Sequence, residues 1–142
     1  MTFLYCLAYR DPAAQAAAPE ERGFFSSPAA ADAARRELLT RRRFAERPDG
    51  FAIVPFHLDD GAEPAPTVYF GLHYDGPIEG RGQVDDKMSP ASGLKTLAVF
   101  STGIKAAEAW VVKMRDPDCA RYASCFSITQ GTVDQFDQKL VV

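Results

Sequence analysis

The sequence has few of the residues that carry redox, metal or nucleophilic chemistry. It contains two histidines, three cysteines and one tryptophan in 142 residues. Cys6 lies in an apolar run, and the spacing of Cys119 and Cys125 is longer than that of zinc knuckles and redox motifs. We therefore expect free thiols that pack as small apolar side chains, with no metal site and no cofactor.

Long apolar runs and a strong excess of one charge are also missing. No segment approaches the ~20 apolar residues of a membrane span. The N-terminal run MTFLYCLAYRDP has no preceding positive charge and no small-residue cleavage site after it. The formal net charge of −3 argues against a general nucleic-acid-binding protein, which needs a basic surface. We expect a cytoplasmic protein that contacts no membrane and whose partner is not nucleic acid.

Core-forming side chains are abundant. The apolar fraction is 46 %, with ten Phe and five Tyr. A chain of this length buries roughly 68–70 % of its unfolded surface, which is enough for one domain or two very small ones.

An internal duplication is the strongest pattern. The segment FFSSPAAADAA at 24–34 resembles VFSTGIKAAEA at 99–109. A shift of 75 positions aligns the two copies without a gap over 24–59, and a shift of 65 aligns the residues before them. One insertion between 74 and 97 explains the difference, since loop length costs little entropy. A repeat of this kind sets the architecture.

Each copy has the pattern of two strands, a helix and a strand. TFLYCLAY and TVYFGLHY predict the first strands, GFF and LAVF the second, and FAIVPFHLD and CFSITQGTVD the third. The helices are predicted over 28–44 and 104–114, with Pro28 at the first helical position. Their candidate N-caps are Ser26 or Ser27 and Ser101 or Thr102.

The periodicity also predicts which residues are buried. In the second helix, we expect Ala107, Trp110, Val111 and Met114 on the buried face. Pro55 predicts an edge position for its strand, because proline cannot donate to a strand ladder. The predicted core residues are Phe25, Ile53, Phe51, Phe100, Trp110, Phe126 and Ile128.

These elements predict an α+β fold of two tandem β-β-α-β units. We expect one pseudo-twofold sheet with both helices on one face, ferredoxin-like in general style, and two sheets that share a core are the alternative. The first unit covers 1–60, a linker covers 61–66, and the second unit covers 67–142. The second unit carries a long loop over 75–95.

Parts of the chain resemble a small bacterial domain family of unknown function. The resemblance rests on GFFSSPAAADAA, RFAERPDGFAIVPFHLDD and LHYDG, which match a G-[FV]-[FY]-S-[ST] helix start and a P-[DE]-G-F-x-I strand start. The segment CARYASCFSI departs from the second of these motifs. The resemblance implies the repeated β-β-α-β fold and transfers no catalytic residue.

One constellation is compatible with acid–base chemistry or a small-molecule site. His73, Tyr74 and Asp75 follow one another at the end of a predicted strand, and strand alternation places His73 and Asp75 on one face. No motif connects a Ser or Cys nucleophile to them, and a solvated strand end explains the same residues. We therefore assign no catalytic residue.

A second constellation is a local excess of arginine. ARRELLTRRRFAER has six Arg against two Glu, and the second predicted helix has no such cluster. The pattern predicts a solvated helix face or a surface that binds phosphates or an acidic partner. The candidate partner-binding residues are Arg35, Arg41, Arg42, Arg43 and Arg47, with Glu79, Asp85 and Asp86 of the long loop.

Three hypotheses of function remain open. The first is a non-enzymatic protein-binding module, most concretely an immunity or inhibitor protein that neutralises a toxin encoded nearby. The second is a small enzyme or small-molecule binder that uses a groove between the units. The third is a nucleic-acid-binding module that uses the Arg-rich helix. We expect the first, with a protein partner, as a monomer or a homodimer.

Overall fold

The structure, a computed structural model, describes residues 2–11, 19–58, 66–76 and 94–136. Most of the predicted linker and most of the predicted long loop lie outside the described residues. None of the described helices is long and apolar enough to cross a membrane.

The first unit consists of three antiparallel strands and one main helix. In chain order its elements are β1 (Phe3–Tyr9), β2 (Glu20–Phe25), α1 (Pro28–Leu38), the short α2 (Arg42–Ala45), a 3-10 turn (Pro48–Gly50) and β3 (Phe51–His57). The strand order is β3-β1-β2, so β3 is an edge strand, as Pro55 predicted.

The second unit repeats this order. Its elements are β4 (Val68–Tyr74), β5 (Thr96–Phe100), α3 (Gly103–Lys113), the short α4 (Pro117–Ala120), a 3-10 turn (Ala123–Cys125), β6 (Phe126–Thr132) and the two-residue β7 (Gln135–Phe136). The strand order β5-β4-β6 is that of the first unit. The predicted α+β fold of tandem β-β-α-β units is confirmed.

The strand registers of the two units agree residue by residue. Cys6 lies opposite Phe24, and Gly71 lies opposite Val99, which are the same positions at shifts of 65 and 75. Both ladders are interrupted by a β-bulge at the same place, just after Leu7 and just after its equivalent in β4. The duplication therefore extends to the details of the backbone.

The strands form two sheets rather than the single sheet that we expected. One sheet has the order β3-β1-β2-β7 and the other β5-β4-β6. Backbone contacts between the units include a parallel bridge of Leu58 with Val99 and a hydrogen bond from the N–H of Asp134 to the carbonyl of Phe24 at 2.9 Å. The sheets face each other across a cluster of buried apolar side chains to which both units contribute.

Three apolar clusters follow from this arrangement. One lies under α1, one under α3, and one between the sheets. The cluster between the sheets, the shared core, takes side chains from both units: Leu4, Cys6, Ala8, Phe24, Phe56, Leu58, Leu94, Val99 and Val133. The two units are therefore halves of one packed body.

Both main helices begin with the same side-chain cap. The hydroxyl of Ser27 accepts from the backbone N–H of Ala30 at 3.1 Å, and that of Thr102 accepts from the N–H of Lys105 at 3.2 Å. Each bond satisfies one of the amide donors that a first helical turn leaves unpaired. Ser27 and Thr102 are the caps among the predicted alternatives, and Pro28 occupies the first helical position.

The predicted buried face of α3 is wrong at Val111, which is 52 % exposed. The residues of α3 that are buried are Ala106 and Lys113, the equivalents of Ala31 and Leu38 in α1. Apolar residues lie all around α3, so periodicity alone did not fix which side faces the sheet.

The predicted core is confirmed in part. Phe25, Phe100 and Phe126 are buried, and Phe51, Ile53 and Trp110 are half-buried. Ile128 is 41 % exposed, so its prediction is wrong. It lies on β6, which forms one edge of its sheet.

Candidate functional site

A groove of about 460 Å³ opens between the two sheets on the side where β2 approaches β6. Its wall from the first unit is formed by Pro19, Glu20, Glu21, Gly23 and Phe24. Its wall from the second unit is formed by Tyr69, His73, Lys95, Thr96, Thr129 and Gln130. The groove thus lies beside the shared core and combines residues of both units.

The repeat explains why the groove exists. The first unit directs Cys6, Ala8, Val54 and Phe56 toward the other sheet; the equivalent residues of the second unit are Gly71, His73, Thr129 and Gly131. Apolar side chains that fill space in the first unit are therefore replaced by glycine or by polar groups in the second. This replacement leaves a polar-walled space where the same fold otherwise packs an apolar core.

Aromatic rings form the apolar part of the groove. The ring of Tyr69 lies 4.6 Å from the ring of Phe24, centroid to centroid. A Cβ at Gly131 would approach the Tyr69 ring to 2.5 Å, so glycine is required there for this ring position. The two rings give a bound molecule an apolar surface at one end of the groove.

Glu21 holds the mouth of the groove in place. Its carboxylate accepts from the backbone N–H groups of Lys95 and Thr96, at 2.9 Å and 3.0 Å, and from the Thr96 hydroxyl. Glu21 and Thr96 occupy equivalent positions in the two units, so this contact bridges the units near their pseudo-twofold axis. Bonds to a charged group are stronger than neutral ones, so they fix the separation of the two walls.

His73 is the polar group that is best placed to contact a ligand. It lies opposite Thr96 in one ladder and opposite Ser127 in the other, on the strand between them. Within the described part of the chain, no hydrogen bond or ion pair holds its imidazole. Since no described residue engages either ring nitrogen, both can serve as donor or acceptor to a ligand in the groove.

The structure does not bring His73, Tyr74 and Asp75 together. Tyr74 is buried on the opposite face of the strand, with its ring 4.6 Å from that of Phe126. Asp75 is exposed, and its carboxylate pairs with the Lys95 ammonium at 3.2 Å. Of the predicted trio, only His73 lines the groove.

Most of the predicted partner-binding arginines form ion pairs within the chain. Arg35 pairs with Asp32 at 2.7 Å, and Arg42 with Glu46 at 3.2 Å. Arg47 pairs with Asp11 at 3.6 Å.

Arg43 is held still more closely. Its guanidinium pairs with Glu20 and lies 5.6 Å from the ring centre of Tyr9 and 5.1 Å from that of Phe44. Arg41 is exposed and has no ion pair with the described residues. Four of the five predicted arginines are thus paired within the chain. Glu79, Asp85 and Asp86 lie outside the described residues.

Two of the three thiols, Cys6 and Cys119, are buried like those of structural cysteines. Burial raises the pKa of the Cys6 thiol well above its ordinary value, and the Glu21 charge adds to the rise. Burial also raises the pKa of Cys119. A raised pKa reduces the thiolate fraction, which is the reactive form. No cluster of metal-ligating side chains occurs within the described ranges.

Sequence reasoning missed Glu21, Tyr69, Thr96 and Gln130. A usable signal was present in the repeat itself. A strand position that is apolar in one copy and small or polar in the other indicates that the second side chain does not serve the apolar core. Such a position is a candidate for ligand binding.

No protein-family model matches the chain, and the searches of curated proteins and of solved structures found no significant match.

Proposed function

We propose that the chain is a non-enzymatic binder of a small polar ligand, which it holds in the groove between the two units. The observation that carries the proposal is the replacement of Cys6, Ala8 and Val54 by Gly71, His73 and Thr129 at equivalent inner positions. Ligand sites are typically clefts of roughly 300–1,000 Å³ that combine apolar surface with a few placed polar groups. The groove has this size and composition.

The groove favours an uncharged or cationic ligand with a flat apolar part. The rings of Phe24 and Tyr69 provide the apolar contact. Glu20 is paired with Arg43 and the ammonium of Lys95 with Asp75, whereas the Glu21 carboxylate is held by amide and hydroxyl donors and by no cation of the described residues. An anion in the groove would therefore meet the charge of Glu21, which costs binding energy.

Three indole compounds test this preference because they differ mainly in charge. Tryptophol is neutral, tryptamine is cationic and indole-3-acetate is anionic at pH 7. We expect tryptophol and tryptamine to shift the backbone amide NMR signals of residues around His73, Thr96 and Gln130, and indole-3-acetate to shift them much less. Equal shifts with all three compounds, shifts elsewhere in the chain, or no shifts at millimolar concentration would contradict the proposal.

Variants that restore the residues of the first unit give the matched control. His73→Ala with Thr129→Val places the side chains of Ala8 and Val54 in the second unit, which the fold already accepts. We expect this double variant to keep the stability of the parent and to lose the ligand-induced shifts. His57→Ala changes the other histidine, which lies outside the groove, and should leave the shifts unchanged.

The protein-binding, toxin-neutralising hypothesis stays a prediction. Its arginines are largely engaged within the chain, and its acidic loop residues lie outside the described residues. The groove has more support, because its polar residues have no counterpart in the packing of the first unit.

A further inference from the structure

The strand β6 is the edge strand of its sheet, and its register on β4 fixes which backbone groups face outward. The N–H of Val133 donates to the carbonyl of Thr67 at 2.9 Å, so Val133 and every second residue before it bond to β4. The alternate residues Ile128, Gln130 and Thr132 direct their N–H and C=O groups away from β4. All three are exposed, and these groups have no hydrogen-bond partner among the described residues. We call this row of backbone groups the free edge of β6.

The first unit blocks the equivalent edge with a proline. Tyr5 lies opposite Pro55 in the first unit, and Phe70 lies opposite Gln130 in the second, at the same shifts of 65 and 75. Because Pro55 has no N–H, it cannot donate to a further strand at the middle of β3, and its ring obstructs one. Gln130 has the donor that Pro55 lacks. The fold therefore accepts a proline at this position, and the second unit does not have one.

The composition of β6 leaves its edge without the other usual protections. Native proteins protect exposed strand edges with charged side chains, prolines or bulges. The sequence of β6, FSITQGT, has no charged residue and no proline. Its ladder with β4 runs from Phe126 to Thr132 without a bulge. The free edge of β6 is therefore a regular, uncharged template for another strand.

We propose that the free edge of β6 pairs with the free edge of β6 in a second copy of this chain. The three outward-directed residues are symmetric about Gln130. Antiparallel pairing about a twofold axis at Gln130 therefore sets Ile128 opposite Thr132 of the other copy, and Thr132 opposite Ile128. Each of these pairs exchanges two backbone hydrogen bonds, about six in all.

The absence of charge favours a second copy over an unrelated strand. A neutral edge has no electrostatic means of selecting a partner, whereas its own copy matches it without burying a charge. The pairing joins the two three-stranded sheets into one continuous sheet with the strand order β5-β4-β6-β6-β4-β5.

The dimer is weak and forms at high protein concentration. One strand from each copy forms the contact, which is less than the roughly 1,200–2,000 Å² of most stable interfaces. The pairing needs no ligand in the groove, so it stands or falls independently of the proposed function.

Sedimentation velocity from about 5 µM to about 500 µM tests the dimer on the intact chain. We expect the weight-average sedimentation coefficient of the parent to rise from the monomer value toward the dimer value. Gln130→Pro gives the second unit the residue of the first and removes the outward N–H, so this variant should stay monomeric. Gln130→Ala removes the side chain and keeps the N–H, so it should associate as the parent does. A monomeric parent at the highest concentration, an associating proline variant or a monomeric alanine variant would overturn the proposal.

Amide hydrogen exchange followed by NMR locates the interface. The amides of Ile128, Gln130 and Thr132 should exchange about twofold or more slowly at the highest concentration than at the lowest, because pairing protects them. The amides of Thr129 and Gly131 already bond to β4, so they are the internal control and should change little. Association without slower exchange at the three outward amides would place the interface elsewhere and overturn the proposal.

Paired charges test the register about Gln130. Ile128→Lys with Thr132→Lys sets like charges opposite each other and should weaken association about tenfold or more. Ile128→Lys with Thr132→Glu sets opposite charges together and should associate more tightly than the two-lysine variant. Equal association of the two variants would overturn this arrangement. Both keep every backbone N–H, so they test the pairing even if Gln130→Pro does not fold, and circular dichroism checks the folding of each variant.

Discussion

The two units share a backbone and differ in what their side chains do. Strand order, register, bulge position and helix caps agree throughout. The differences concentrate at two places in the second unit, the strand face toward the other sheet and the free edge of β6. There the first unit has apolar packing and an edge proline, and the second has a polar-walled groove and an edge without proline. The two units can therefore be used as references for each other. Residues that both units share are those that the fold requires, and residues that differ are candidates for another role.

The largest expected effect is the loss of stability when an aromatic core residue that the two units share is removed. Phe25 and Phe100 are equivalent and are 2 % and 6 % exposed under their respective helices. We expect Phe25→Ala and Phe100→Ala each to lower the free energy of unfolding by about 3–5 kcal/mol, since each removes a buried aromatic ring. Urea titration followed by circular dichroism measures the loss. A loss below about 1 kcal/mol in only one variant would show that the units are not energetically equivalent.

The same titrations test whether the units unfold together. Because the shared core takes side chains from both units, we expect a single transition in the parent and in both variants. Two separate transitions would show that each unit is stable by itself.

A smaller effect, a gain of stability, is expected at a buried position where the two units differ. Lys113 is 8 % exposed, and its buried ammonium forms no hydrogen bond with the residues that the structure describes, whereas its equivalent Leu38 is fully buried and apolar. A buried unsatisfied polar group costs about 1–3 kcal/mol. We therefore expect Lys113→Leu to raise the free energy of unfolding by about that amount.

Lys113→Met separates charge from shape, because methionine keeps an unbranched stem without the ammonium. We expect it to stabilise the protein nearly as much as Lys113→Leu does. If both substitutions destabilise the protein, the ammonium of Lys113 has a stabilising role. The inference that an apolar residue suits this position as it does in the first unit would then be wrong.

The sequence predicted the local elements well and the contacts between units poorly. The caps, the strands and the edge position of Pro55 depend on neighbouring residues, so the chain carries their signals directly. The pairing of two separate sheets depends on which apolar faces meet, and periodicity does not record that. The groove residue Glu21 shows the limit, because its partners Lys95 and Thr96 are more than 70 positions away. Burial of Lys113 was predictable only by comparison with Leu38.

Removal of the helix caps has a still smaller effect. Ser27→Ala and Thr102→Ala each delete the acceptor for one amide of the first helical turn. We expect each to lower the free energy of unfolding by about 1 kcal/mol, measured by urea titration. Thr102→Ser keeps a hydroxyl acceptor and is the control, with a change within about 0.5 kcal/mol. If only one of the two alanine substitutions lowers the free energy of unfolding, the two helices differ in how they pack on their sheets.

The smallest expected effect concerns the Arg-rich segment, which has no counterpart in the second unit. Arg43 pairs with Glu20 and lies over the rings of Tyr9 and Phe44, whereas Arg41 has neither contact among the described residues. Arg43→Gln should lower the free energy of unfolding by about 0.5–1 kcal/mol, since it removes a partly exposed ion pair and cation–π contacts. Arg41→Gln should change it by less than about 0.5 kcal/mol. Urea titrations at low and high salt measure both, and salt should reduce the difference because it screens exposed charges. Equal effects of the two substitutions would show that Arg43 acts only through the general charge of the segment, as Arg41 does.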